Sequence, residues 1–341
     1  MKWKNAIETI HILFGIFRRH SSERLTQKGK IRYTFGVFVW KQEQNMESTE
    51  KKSYLYIFIS GILWGLSGIF VKYLTGQGAS SLLISCWRLI PAFFFLASVT
   101  IARYGFKSLK IDGRTMMFCA LTGLVTQALF NICYNTAIAT IGMSVSAVLL
   151  YVAPVVTAVS AALIFSEKIT RKKAIALLVN VLGCVLTVTG GSLNAGNLVL
   201  SGVLFGIGAG VCYGMVAILG RVTTAKVNPF VAITWTFFFG SIFILLFVRP
   251  WNEAVFPTNA GFVTVGLLFA LIPTTFSYLF YFSGVSVIKE TSKVPVIASI
   301  EPVVATLIGV IAYHEPIGVI NVLGILLVIG SIVMMNQKQL D

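Results

Sequence analysis

The sequence predicts an all-α integral membrane protein whose ten transmembrane helices form two inverted-topology five-helix repeats. Three observations carry that expectation: apolar stretches long enough to cross a bilayer recur ten times, basic residues fall in alternate loops, and the last five stretches repeat the first five in order and spacing. Composition excludes much else. Of 341 residues, 56% are hydrophobic and 11% charged, with a mean hydropathy of +0.85. Soluble domains carry about 25% charged residues, so a soluble enzyme, a disordered chain and a nucleic-acid binder are poor fits.

Residues 1–45 differ from the rest, with nine Lys and Arg against three Glu in a chain of net charge +15. Their apolar run from Ile10 to Phe17 is broken by His11 and lacks a small-residue cleavage site, so it does not read as a signal peptide. Met46 opens Met-Glu-Ser-Thr-Glu-Lys-Lys, a short polar tail before the first span. The expectation is that translation starts at Met46. The alternative is a basic segment held on anionic lipid. Residues 1–52 are thus read as a cytoplasmic N-terminal segment.

From Ser53 onward the spans are 54–74, 81–102, 115–135, 144–165, 173–191, 199–219, 229–249, 261–282, 294–313 and 317–336. Each is near the roughly 20 residues a bilayer requires, and each must be helical because the hydrocarbon offers no partner to an open backbone. The first repeat covers 53–192 and the second 198–337. The loops after spans 2, 4, 6 and 8 hold Arg103, Lys107, Lys110, Arg114, Lys168, Arg171, Lys172, Lys173, Arg221, Lys226, Lys289 and Lys293. The other loops hold none, apart from Arg249 at a helix end. Basic loops stay inside, so both termini are expected in the cytoplasm of a multi-pass plasma-membrane protein.

The repeat is visible residue by residue. Span 4 reads Tyr-Val-Ala-Pro-Val-Val-Thr-Ala from Tyr151, and span 9 reads Ser-Ile-Glu-Pro-Val-Val-Ala-Thr from Ser299. Pro154 precedes Glu167 by 13 residues, and Pro302 precedes Glu315 by 13. Gly61 and Gly65 of span 1 match Gly202 and Gly206 of span 6, and Gly183 and Gly190 match Gly324 and Gly330. Five spans per copy is odd, so the second copy enters from the opposite side. That plan is shared by many secondary transporters, whose binding site lies near the midplane between the repeats.

These residues carry a resemblance. Gly61-Ile-Leu-Trp64-Gly65, Arg88, Pro154 with Glu167-Lys168-Ile169-Thr170, Gly202 with Arg221, and Glu301-Pro302 followed by Glu315 together resemble the drug/metabolite transporter superfamily, specifically its ten-helix EamA-like transporters with two EamA repeats. The resemblance covers about residues 53–337 and implies substrate export by alternating access through a central cavity. It names no substrate, because members handle amino acids, sugars, cations and other metabolites.

Candidate functional residues are polar groups at midspan. Glu301 stands seven residues into span 9, roughly 10 Å along the helix. A carboxylate at such depth costs roughly 2.5–3.5 kcal/mol even on lenient insertion scales and is a functional candidate by default. It reads as a proton-coupling or substrate-amine site, as a partner for backbone freed by Pro295 and Pro302, or as a carboxylate opening onto the cytoplasmic vestibule. Arg88 in span 2 reads as a ligand for a substrate carboxylate, as a partner of Glu301, or as a packing anchor. Lys72 snorkels at the end of span 1. Trp64, Tyr134, Tyr151, Tyr213, Tyr278 and Tyr281 lie near midspan rather than at the interfaces that aromatic belts prefer, which suggests a cavity wall. Asn131 and Asn135 share one face of span 3 and either line that cavity or join helices. Pro154 and Pro302 are candidate helix hinges.

Gly202, Gly206 and Gly210 form a small-residue face on span 6, expected against span 1 or, alternatively, at a dimer surface. The five cysteines stand singly as small hydrophobes, and three scattered histidines cannot hold zinc. No catalytic set or nucleotide-binding loop is present, so the reading is not an enzyme, with no cofactor, no metal and no nucleic-acid partner. Expected partners are a small-molecule substrate, the lipid bilayer and protons, for a monomer or homodimer. The function read is a secondary transporter exporting a small metabolite, an amino acid or related zwitterion. Alternatives are a multidrug or organic-cation exporter, or a non-transporting sensor subunit.

Overall fold

The computed structural model describes residues 50–192, 199–252 and 259–336. The basic leader, and the start at Met46 read from it, lie outside the described residues. Ten helices are long and apolar enough to cross a membrane: α1 (Glu50–Gly76), α2 (Ser81–Tyr104), α3 (Gly113–Ile141), α4 (Met143–Leu150 resuming as Ala153–Phe165), α5 (Arg171–Thr189), α6 (Leu200–Thr224), α7 (Pro229–Val248), α8 (Ala260–Val285), α9 (Thr291–Tyr313) and α10 (Val319–Asn336). No strand occurs among the described residues. α3 and α6 run several residues past their predicted ends, because backbone hydrogen bonding does not stop where hydropathy does.

Polar side chains start the helices in matched places. Ser80 caps α2 and Asn228 caps α7; Asp112 caps α3 and Asn259 caps α8, each accepting from a first-turn N–H. Such caps satisfy donors left over at a helix start. Outward faces are apolar: Leu163, Leu178, Ile311 and Val319 are among the most exposed side chains, a pattern that suits lipid tails.

Small residues bring the helix backbones together, and here the structure corrects one expectation. The glycine face of α6 packs on α4 and, at Gly202, on the end of α3 rather than on α1, and it is buried rather than presented to a second copy. A Cβ on Gly210 would lie 2.7 Å from the Leu149 carbonyl oxygen, and one on Gly214 would lie 2.8 Å from that of Ala153. α1 uses its own glycines in the mirrored way, against α9: a Cβ on Gly61 would meet the Ala298 carbonyl at 2.6 Å and one on Gly65 the Glu301 carbonyl at 2.8 Å. The first helix of each repeat therefore grips the fourth helix of the other. α5 and α10 cross at Gly183 and Gly324, where the Asn321 side chain donates to the Thr187 carbonyl (2.9 Å) and Asn180 donates to Ser331 (2.9 Å) and Ser299 (2.6 Å).

Two further irregularities are duplicated. α4 is interrupted at Tyr151–Val152 and α9 at Ser299, in both cases three residues before the proline of its repeat. α3 and α8 each contain a π-helical stretch, Leu124–Leu129 and Ala270–Phe276. In α8 the cause is legible: Pro273 lacks an N–H, and the Thr274 and Thr275 hydroxyls donate instead to the Phe269 and Ala270 carbonyls, at 3.0 and 2.8 Å. A π turn inserts one residue and rotates the rest of the helix about its axis, and such turns recur at functional sites.

Candidate functional site

Beyond the two π turns, α3 presents Asn131, Tyr134 and Asn135, and α8 presents Tyr278 and Tyr281, to the interior. Trp64 of α1 is buried among three tyrosines, its ring centroid 6.1 Å from that of Tyr213, 5.2 Å from Tyr278 and 5.0 Å from Tyr281. Tilted and edge-on contacts of this kind are the favoured aromatic geometry. Phe130 extends the surface by stacking on both Tyr134 (5.8 Å) and Tyr213 (5.6 Å), and Phe237 meets Tyr278 at 5.0 Å.

Two polar centres sit on this aromatic surface. In the first, the Tyr213 hydroxyl donates to Glu301 Oε2 at 2.6 Å. In the second, Arg88 Nη2 donates to Asn131 Oδ1 at 3.1 Å. The Ser85 hydroxyl donates to the same oxygen at 3.1 Å and accepts from Asn135 at 3.0 Å, while Asn131 itself donates to the Gln127 carbonyl at 2.5 Å. Arg88 Nε has no hydrogen-bond partner, and the guanidinium lies 6.0 Å from the Phe269 ring. Arg88 and Glu301 are near enough to interact electrostatically, yet no ion pair joins them among the described residues. Both retain partial solvent exposure, as do Tyr134, Asn135, Tyr151 and Tyr213.

The structure thus brings together Trp64, Arg88, Asn131, Tyr134, Asn135, Tyr213, Tyr278, Tyr281 and Glu301. Tyr151 sits apart from the ring contacts, packed at the break in α4 against the group formed by Cys184, Ile300, Val303 and Val328. Ser85, Phe130 and Phe237 belong to the site and were not anticipated. Ser85 had a signal, its three-residue spacing from Arg88 on one helical face; the two phenylalanines had none in a chain with 26. Cys86, Cys119, Cys133, Cys184 and Cys212 are all free, and all but Cys133 are buried.

Outside the membrane-spanning segments, Glu167 follows α4 and accepts from four donors: the backbone N–H groups of Thr291 (2.7 Å) and Ser292 (3.1 Å), the Ser292 hydroxyl (2.8 Å) and Arg221 Nη1 (2.7 Å). Burial pushes its carboxyl up, but the N–H groups of Ser292 and Thr291 and the Ser292 hydroxyl outweigh that and leave it below the ordinary carboxylate range. Glu290 beside it pairs with Lys173 and Lys293, each at 3.1 Å. Among the described residues no group of His, Cys, Asp and Glu is suited to hold a metal ion.

The fold is that of a ten-span membrane bundle made of two repeats, with polar and aromatic side chains gathered between them. The EamA-like transporter family model matches residues 51–189 and again 200–337, and the chain belongs to that family. Similar chains are an uncharacterized transporter of Archaeoglobus fulgidus, 24% identical over 276 residues (81% of this chain, 93% of that one), and one of Clostridium kluyveri, 25% identical over 295 residues (83% and 93%). A third, from Bacillus subtilis, is 25% identical over 281 residues, covering 81% and 91%. A solved crystal structure shares the fold with a TM-score of 0.72 at 15% identity, covering 84% of this chain and 98% of its own. The protein is a multi-pass membrane transporter.

Proposed function

We propose that the protein exports a small zwitterionic metabolite, such as an amino acid, across the plasma membrane by alternating access, with both termini in the cytoplasm. One observation carries the substrate class: a guanidinium and a carboxylate lie on one aromatic surface without neutralising each other. A zwitterion would complete both, its carboxylate on the open edge of Arg88 and its ammonium on Glu301 beside Tyr213. Two-pronged recognition by arginine is geometric as well as electrostatic. The inverted repeat supplies two mirrored half-channels around one site, as alternating access requires.

The test is uptake of radiolabelled amino acids into vesicles containing the protein, with and without a pH gradient. Glu301→Gln should lose dependence on the gradient and exchange substrate only at a raised KM, because the ammonium has lost its charged partner. Arg88→Lys keeps the charge but not the planar fork and should raise KM by about tenfold. Absence of uptake for every amino acid would remove this substrate class. A second reading rests on Trp64, Tyr213, Tyr278 and Tyr281 around Glu301, because aromatic walls with a carboxylate also suit an organic cation. Under that reading a quaternary ammonium probe is carried and Arg88→Lys changes its KM little.

A further inference from the structure

The two ends of the bundle carry the same device in different states. After α4 the order is Phe165, Ser166, Glu167; after α9 it is Tyr313, His314, Glu315, with each residue 148 positions after its counterpart. Ser166 and His314 both adopt the left-handed conformation, with φ of 56° and 53°. The Glu167 N–H bonds back to the Ala161 carbonyl at 3.3 Å and the Glu315 N–H to that of Gly309 at 3.1 Å, again matched positions. In each case a cation near the end of the other repeat's first helix covers the aromatic ring and pairs with the glutamate. Arg221 lies 4.2 Å from the Phe165 ring centroid and 2.7 Å from Glu167; Lys72 lies 3.4 Å from that of Tyr313 and 3.5 Å from Glu315.

What differs is the third partner. Glu167 also caps the head of α9 through Thr291 and Ser292, which ties the first repeat to the second, and its side chain is 8% exposed. Glu315 has Lys72 as its ion partner and is 59% exposed. The residue of the first repeat that matches Thr291 is Met143, at the head of α4, and it is exposed. α9 spans 23 residues, so the two glutamates are separated by roughly 35 Å of helix.

The geometry points to a pair of alternating latches: Glu167 locks the head of α9 in the state seen here, and Glu315 locks the head of α4 in the opposite state, so that the two carboxylates set the balance between the transporter's two openings. The inference rests on the alternating-access reading and deepens it. Arg221 and Lys72 stay with their glutamates in both states. What is exchanged is the capped helix, whose first N–H groups have no partner inside the helix.

Hydrogen–deuterium exchange read by mass spectrometry on the purified full chain tests this at the end remote from each mutation. Glu167→Gln should speed exchange at 291–293. It should also slow exchange at 142–147, by about fivefold for a coupling at the lower end of the usual range. The double variant Glu167→Gln with Glu315→Gln should return 142–147 to the wild-type rate. Should Glu167→Gln not yield folded protein, Ser292→Ala removes one donor and should give a smaller slowing at 142–147. Slowing that persists in the double variant would overturn the Glu315 latch and leave alternating access standing. Exchange at 142–147 that ignores Glu167 altogether would overturn the coupling itself.

Discussion

Glu167 is the residue where charge, backbone and helix geometry meet, and its titration is set by them. Arg221 of α6 faces it, with Glu290, Lys173 and Lys293 alongside. A carboxyl held below its ordinary value in the folded chain contributes stability above the unfolded-state pKa, and loses it as pH falls through the lowered folded value. The melting-temperature gap between wild type and Glu167→Gln should therefore be constant from pH 7 to about pH 5. It should narrow only below about pH 4.3, the ordinary glutamate value; a gap that closes by pH 6 would contradict the depressed carboxyl. At this scale the sequence was unevenly informative. Glu301 and Arg88 stand out because a charge in an apolar run is rare. Glu167 could be recognised as part of a repeated motif, but its partners Thr291 and Ser292 are 124 and 125 residues away, and nothing local points to them.

The elements are held together by backbone approach, which makes the glycines sharp probes. Gly210→Val on α6 would drive a side chain into the Leu149 carbonyl, whereas Gly330→Val on α10 meets open space. Overpacking of this kind typically costs about 1–3 kcal/mol, so the first variant should melt several degrees lower and the second should match wild type. Equal melting temperatures would mean that α6 and α4 are not in contact as described. Helix number and order could be read from hydropathy alone. The partner of the α6 glycine face could not, because a small-residue stripe says that something approaches closely without saying what. The π turns were equally silent: an inserted residue changes register, not composition, and only Pro273 marks one of them.

For the whole molecule, the orientation proposed from the alternation of basic loops puts both termini and Glu167 on the cytoplasmic side and Glu315 on the other. Cysteines introduced at Lys107 and Lys289 should resist a membrane-impermeant maleimide in intact cells, while cysteines at Gln77 and Pro316 should react; the reverse pattern would invert the proposed orientation. The native thiols interfere little, since four of five are buried. The duplication was legible because motifs of spans 1 and 4 recur in spans 6 and 9 with their internal spacing kept. Residues of spans 4 and 9 match at a separation of 148 and those of spans 1 and 6 at 141. Within each of these two helix pairs the register is kept, and the chain between spans 1 and 4 absorbs the difference.

The glycine contacts of α1 on α9 and of α6 on α4 have a mechanical consequence. Faces that interlock through side chains must be pulled apart before they can move, since each knob has to leave its hole. The glycine faces send nothing into their partners, although Ile300, Val304, Leu149 and Val156 reach across to them, so knobs stand on one side only. Such faces suit bearings, smoother along the helix axis than across it. Under the proposed alternating access, the broken helices α4 and α9 would be the parts that run on them, so that the residues which pack the bundle tightly would also let its two halves rock.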